Sequence, residues 1–247
     1  MTIQERQTAS SADYSIGDII SETFRILMGS PAKFLLVAAI TVIPAVIGYV
    51  IAGPLALVPG MGTAGWVVLL FRMIIGFLTQ AAITYGAFEI LRGRDFDVAH
   101  AISSALARFG QLALLSIALS LMIGVGSALL LVPGLIILCM YYVSLAVCVV
   151  EKTGVGDSLG RSRALTKGFR WKILGQLAVL FIPLYVLIFA ITYVFRAAGS
   201  PMLGIWIQQI VGIALAAITS ILASVTYFRL RNLQEGVDLD RIASVFD

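Results

Sequence analysis

Charge is scarce in this chain. Only 12% of its 247 residues are Asp, Glu, Lys or Arg, against roughly 25% in a soluble domain. So few charges cannot clothe a water-exposed surface, which excludes a soluble enzyme domain, a disordered chain and a nucleic-acid binder. Cysteine is almost absent too. The two present, Cys139 and Cys148, share one apolar run. Nine residues apart on a helix they stand ~13.5 Å apart along the axis, too far to bridge. A disulfide framework is therefore excluded, and no zinc-ligand spacing is present. The single histidine, His100, has no carboxylate or cysteine at metal-ligand spacing. It reads as a solvated surface residue. There is no glycine-rich phosphate loop and no nucleophile motif. No cofactor is implied.

What the chain has is apolar sequence. The AVILMFWYC set makes up 60% of it, and the mean hydropathy is +1.02. A soluble globule could not bury that much, so the composition predicts an all-α integral membrane protein. Residues 1–14 are polar and do not look like a secretory leader. A crossing helix needs about 20 mostly apolar residues. Six runs qualify: 34–53, 64–90, 111–131, 133–150, 173–195 and 202–228. The third and fourth form one stretch, and Val132-Pro133-Gly134 is the place to divide it. Proline lacks the backbone donor and glycine favours turning. Either a tight hairpin or a bent or re-entrant helix satisfies that stretch. The 54–63 connection has two prolines and two glycines and reads as a loop.

Basic residues orient the spans. The N-terminal segment holds Arg6, Arg25 and Lys33. The second connection holds Arg92, Arg94 and Arg108, and the fourth holds Lys152, Arg161, Arg163, Lys167, Arg170 and Lys172. The C-terminal segment adds Arg229, Arg231 and Arg241. Fifteen of the 17 cations thus share one side. The positive-inside rule makes that side cytoplasmic, with both termini on it. Arg72 and Arg196 fall near the outer ends of spans, where long stems can snorkel.

The chain also repeats itself. At an offset of 139 residues, Gly17-Asp18 falls on Gly156-Asp157, Gly29 on Gly168, Lys33 on Lys172, Ala39 on Ala178 and Ile43-Pro44 on Ile182-Pro183. A weaker middle copy starts near Val98. Each copy is a short amphipathic helix followed by a two-span hairpin. Ile16, Ile19, Ile20, Thr23, Phe24 and Leu27 have the spacing of one helix face. Val98, Ala101, Ile102, Ala105, Leu106 and Phe109 repeat that spacing. Ser15 with Asp18, and Asp97, read as N-terminal caps. The predicted organisation is a polar tail over 1–14, one six-helix domain over 15–230 and a cytoplasmic tail over 231–247. The pseudo-repeats cover about 15–92, 97–152 and 155–230. The third copy departs at Arg163, which stands where Phe24 and Leu106 do. Ordinary cytoplasmic connections are amphipathic too, so the pattern alone does not prove duplication.

Two features suggest contacts. Arg161, Arg163, Lys167, Arg170 and Lys172 lie within twelve residues. Such a cluster either sets topology or binds anionic headgroups and partners, at ~1 kcal/mol per cation. In the last span Gly212, Ala216, Ser220 and Ser224 recur every four residues. A small-residue stripe lets helices approach closely, within the bundle or between copies in a homo-oligomer. Pro44 and Pro183 fall mid-span and predict kinks. Gln80, Thr84, Ser116, Ser120, Ser144, Gln176, Gln208 and Gln209 read as interhelical hydrogen bonders rather than a polar path. Glu89 predicts a boundary ion pair with Arg92, and Glu151 reads as an ordinary interfacial residue.

One stretch carries a resemblance. Val132-Pro133-Gly134-Leu135-Ile136 is followed by Ser144-Leu145-Ala146-Val147, Val149-Val150-Glu151 and Gly156-Asp157-Ser158-Leu159. Ser162-Arg163-Ala164-Leu165-Thr166-Lys167-Gly168 then leads to Trp171. This resembles a broad, poorly characterised group of bacterial multi-pass membrane proteins. That group includes the membrane domain fused to some glycerophosphodiester phosphodiesterases. The resemblance spans about 132–175, with a looser match at Ser15-Ile16-Gly17-Asp18. It implies a bacterial cytoplasmic-membrane protein connected with lipid or envelope biology, and it carries no catalytic residue over.

The residues therefore point to a non-enzymatic scaffold, assembly factor or accessory subunit that engages lipid or partner proteins. The alternative is a transporter or lipid-translocating carrier. The topology is directly testable. A cysteine at Thr63 should react with an impermeant thiol reagent on intact cells, and one at Asp238 should not. Equal labelling, or labelling at Asp238 alone, would overturn the orientation.

Overall fold

A computed structural model describes residues 14–53 and 62–235. The polar N-terminal tail, nearly all of the 54–63 loop and most of the C-terminal tail lie outside the described residues. Everything described is helix or short connection. α1 (Ile16–Gly29) precedes α2 (Pro31–Ala39), a 3-10 turn (Ile40–Val42) and α3 (Ile43–Ala52). α4 (Gly62–Leu91), α5 (Val98–Ala107) and α6 (Phe109–Leu129) follow. Then come α7 (Leu131–Tyr141), α8 (Ser144–Glu151), α9 (Val155–Leu165), α10 (Arg170–Ala197) and α11 (Pro201–Glu235). Six helical segments are long and apolar enough to cross a membrane. They are α2–α3, α4, α6, α7–α8, α10 and α11, the six apolar runs read from the sequence.

The order is three times a short helix and then two spans. α1, α5 and α9 are the short helices. Ser15 caps α1, its hydroxyl accepting the Asp18 amide. Asp97 caps α5 by accepting the Ala99 and His100 amides. Their buried sides share one register. Ile19, Ala101 and Ser158 are buried, and so are Thr23, Ala105 and Ser162 one turn on. These are equivalent positions at the offsets given above. The faces turn further inward than expected from spacing alone, leaving Phe24, Leu106 and Phe109 exposed. Exposed apolar side chains flanking a buried line suit a helix lying along a membrane interface.

The prolines behave differently from one another. Before Pro44 the first span tightens into its 3-10 turn, and the Thr41 hydroxyl takes the Ala38 carbonyl at 2.6 Å. Pro183 sits inside α10 without interrupting it. Pro133 makes no turn either. The chain turns at Leu130, which is extended (φ −163°, ψ 145°), and α7 begins at Leu131. That leaves Pro133 in a first turn, where its missing donor costs nothing. Gly134 serves contact rather than bending. A Cβ there would fall 2.9 Å from the Ser127 backbone. α6 and α7 meet at this glycine as tightly as helices can.

The fourth span carries a second break that its sequence does not announce. α7 ends at Tyr141 and α8 begins at Ser144. Two carbonyls freed by the break find side chains. Ser144 donates to the Tyr141 carbonyl at 2.7 Å. Ser162 and Thr166 both donate to the Met140 carbonyl, at 3.0 and 3.1 Å. Beyond the break, Ser144 through Val149 are all buried, so α8 is a core helix. The middle hairpin is also the shallow one. Val132, two residues past the turn, lines the same groove as Trp171 and Leu174 at the start of α10. α10 then runs on to Ala197, roughly 34 Å further.

Polar side chains stitch the long helices. Buried Gln176 of α10 accepts from the Tyr14 hydroxyl and donates to Thr226 of α11 at 2.8 Å. Burial pushes the Tyr14 phenol above its ordinary value, so it remains a donor at neutral pH. Gln208 donates to Thr192, joining α11 to α10. The Arg72 guanidinium donates to Gln209 at 3.1 Å, joining α4 to α11. Arg92 lies over the Phe88 ring, 4.1 Å from its centre, rather than pairing with Glu89.

Gly134→Ala should destabilise the protein by about 1–3 kcal/mol, the usual cost of overpacking. Gly124→Ala, where an added Cβ meets nothing within 4 Å, should be neutral. Melting curves in detergent compare the two, and equal midpoints would refute the close-contact role.

Candidate functional site: the basic inner face

The cation-rich segment starts where α8 ends. Lys152 takes the left-handed conformation (φ 56°) and stops the helix. Arg108 donates to the Cys148 and Lys152 carbonyls at 3.3 and 3.2 Å. A guanidinium there satisfies terminal carbonyls and complements the negative helix end. This arrangement delivers Glu151 to the junction of α8, α9 and α11.

Glu151 is the unexpected residue. Both its oxygens lie 3.2 Å from Arg161 Nε, and one accepts the Tyr227 hydroxyl at 2.8 Å. Arg161 also pairs with Glu235. Arg231 bonds Glu235 at 2.9 Å and reaches the Tyr227 hydroxyl at 3.4 Å. The five side chains form a closed ring. The Glu151 side chain is 18% exposed and Arg161 34%, so the ring lies between the buried and surface limits for ion pairs. Its acids and arginines balance, leaving no net charge to offer a ligand. Its effect is to lock α9 and the inner end of α11 to the end of the fourth span.

The five cations of the segment therefore part ways. Arg161 is committed to the ring. Arg163 and Lys167 are exposed. Lys172 is exposed as well, its ammonium about 6 Å from the Tyr14 and Phe169 ring centres. Arg170 is half-buried, and its Nε is shut off from solvent with no hydrogen-bond partner among the described residues. Trp171 beside it is 82% exposed. Position 163 is exposed in the same way as its equivalents Phe24 and Leu106. The third short helix thus carries an exposed cation where the other two carry an exposed apolar group.

The small-residue stripe on α11 divides too. Ser220 and Ser224 are buried within this chain. Their hydroxyls bond back to the Ala216 and Ser220 carbonyls at 2.7 and 2.8 Å. Ala216 is half-buried and packs on the core. Gly212 has nothing within 4 Å of an added Cβ. Of the stripe, only Gly212 and Ala216 are left unburied by this chain.

Among the described residues no three His, Cys, Asp or Glu side chains gather as metal ligands. Both cysteines are buried and unpaired. His100 is exposed. Compared with known proteins, the chain matches no family model, no curated protein and no solved structure.

Glu151→Ala removes one of the two carboxylates on Arg161 and the acceptor of the Tyr227 hydroxyl, and should cost about 2 kcal/mol, between the surface and buried limits. Arg163→Ala, at an exposed site, should stay within roughly 0.5 kcal/mol. Thermal unfolding in detergent distinguishes them, and equal effects would mean that the ring contributes nothing.

Proposed function

We propose that this chain is a non-enzymatic multi-pass membrane protein that serves as a scaffold, assembly factor or accessory subunit. It engages lipid or partner proteins through its basic inner face. The observation that carries this reading is the division of the cations. Arg163 and Lys167 stand exposed, as does Trp171 at the start of α10, while Arg161 fixes the segment that bears them. A rigid mount with outward cations and an interfacial aromatic suits headgroups or an acidic partner surface. The membrane in this reading is the bacterial cytoplasmic one, with both termini cytoplasmic. That follows from the positive-inside rule and from the resemblance over 132–175. Of the polar groups that a carrier would use, Gln176, Gln208 and Gln209 each bond a neighbouring helix, whereas the Ser116 hydroxyl is buried without a partner among the described residues.

Purification of the tagged protein from its native membrane in mild detergent tests this. The expected result is a stoichiometric protein partner or retained anionic lipid. A lone protein whose reconstituted vesicles move solute or lipid, with transport lost on mutating Gln80 or Gln176, would establish the carrier instead.

A further inference from the structure

A groove of about 270 Å³ runs between α7 and α10. Val132, Leu135 and Ile136 form one wall and Leu174 the other, with Arg170 and Trp171 at the rim. The volume is at the lower end for ligand sites. It suits a length of hydrocarbon chain rather than a whole amphiphile. The groove is not merely apolar surface facing lipid, because Arg170 belongs to it. A guanidinium is always charged and carries five donors. Here the Nε is enclosed, with no hydrogen-bond partner among the described residues. Burying such a donor without a partner is unfavourable, and an oxygen brought by a ligand to this charged side chain would relieve that cost. Trp171 is exposed on the same helix turn, where an indole sits at headgroup depth. Lys167 is exposed close by in sequence and adds positive potential on the same side.

We propose that this groove holds one acyl chain of an anionic phospholipid from the adjoining leaflet, with the lipid phosphate on Arg170. The hydrocarbon walls account for the chain and the guanidinium, with its unpartnered Nε, for the headgroup. The shallow middle hairpin makes the site possible. Because α7 turns back level with the first turns of α10, its apolar face meets Arg170 instead of passing it. The proposal deepens the lipid-engaging reading above and rests on it, naming which lipid class binds and where.

Trp171 provides the readout. The full-length protein with Trp66→Phe and Trp206→Phe is placed in phosphatidylcholine nanodiscs. Trace phosphatidylglycerol or phosphatidylcholine with brominated chains is added. Brominated phosphatidylglycerol should quench Trp171 at about fivefold lower mole fraction, the factor one cation near a headgroup is worth. Arg170→Gln should erase that preference, whereas Lys167→Gln at the exposed rim should leave most of it. Ile136→Trp would obscure the emission, so the groove is filled with Ile136→Phe, which should weaken quenching by both lipids. Free inorganic phosphate should not displace the lipid, since it lacks the chain; displacement would show a simple anion site and overturn the proposal. If Arg170→Gln fails to fold, undiminished quenching by both lipids in Ile136→Phe overturns the groove by itself. A preference that survives Arg170→Gln overturns the groove while leaving the basic-face reading intact. Equal quenching by both lipids in the parent protein defeats the groove and the anionic-lipid reading together, but not engagement of a protein partner.

Discussion

The Met140 carbonyl, accepting from Ser162 and Thr166, is the interaction on which the inner half of this protein depends. A helix broken within a membrane exposes carbonyls that lipid cannot satisfy. The fourth span breaks at Tyr142-Val143, and hydroxyls from α9 take the place that the next helical turn would have filled. That bond has geometric consequences. It holds α9 against α7, and it lets α8 become a buried central helix. It also sets where α10 must begin, because Thr166 is only four residues from Arg170. The ring around Glu151 then closes from below what the Met140 carbonyl closes from above.

This arrangement explains why the three short helices share a register but not a chemistry. At the first equivalent position the side chains are Ile19, Ala101 and Ser158, and at the next Thr23, Ala105 and Ser162. All six are buried. Thr23 satisfies itself by bonding the Ile19 carbonyl at 2.7 Å, so it asks nothing of a neighbouring span. Ser162 instead serves the fourth span. Ser158 bonds the Gly154 carbonyl and lies 2.8 Å from the Thr153 hydroxyl, bracing the start of α9. The third copy has a hydrophilic buried face because it packs against a broken helix, not an intact one.

The spans, caps and three-part order were legible because they rest on local patterns: run length, 3.6-residue spacing and a capping side chain. The break at Tyr142-Val143 was not, since neither residue is a helix breaker and the cause lies twenty residues onward in α9. Pro133 misplaces the turn, which falls at Leu130. A proline in a first turn removes a donor that had no partner anyway, and α10 absorbs Pro183 without interruption. Pro44 did mark a change, where Thr41 was present to take a carbonyl. Within the candidate site, the exposed cations followed from composition. The removal of Arg161 from that set did not, because Glu235 is 74 residues away and Glu151 ends an apolar run like any interfacial acid. The only signal was Glu151 itself, an acid closing an apolar run.

The same logic separates structure from function on the inner face. A cation paired twice, as Arg161 is, contributes position and little field. A cation left at the rim contributes field and little position. The segment 161–172 contains both kinds, in that order along the chain, so the anchored arginine precedes the displayed ones. Anchoring matters because a flexible basic tail would bind anionic surfaces with similar charge but no geometry. Fixed by Glu151 and Glu235 at one end and by the start of α10 at the other, Arg163 and Lys167 can present a defined spacing. Arg170 falls between those displayed cations and the hydrocarbon walls of α7. Its unpartnered Nε is therefore where the polar and apolar demands of the inner face meet.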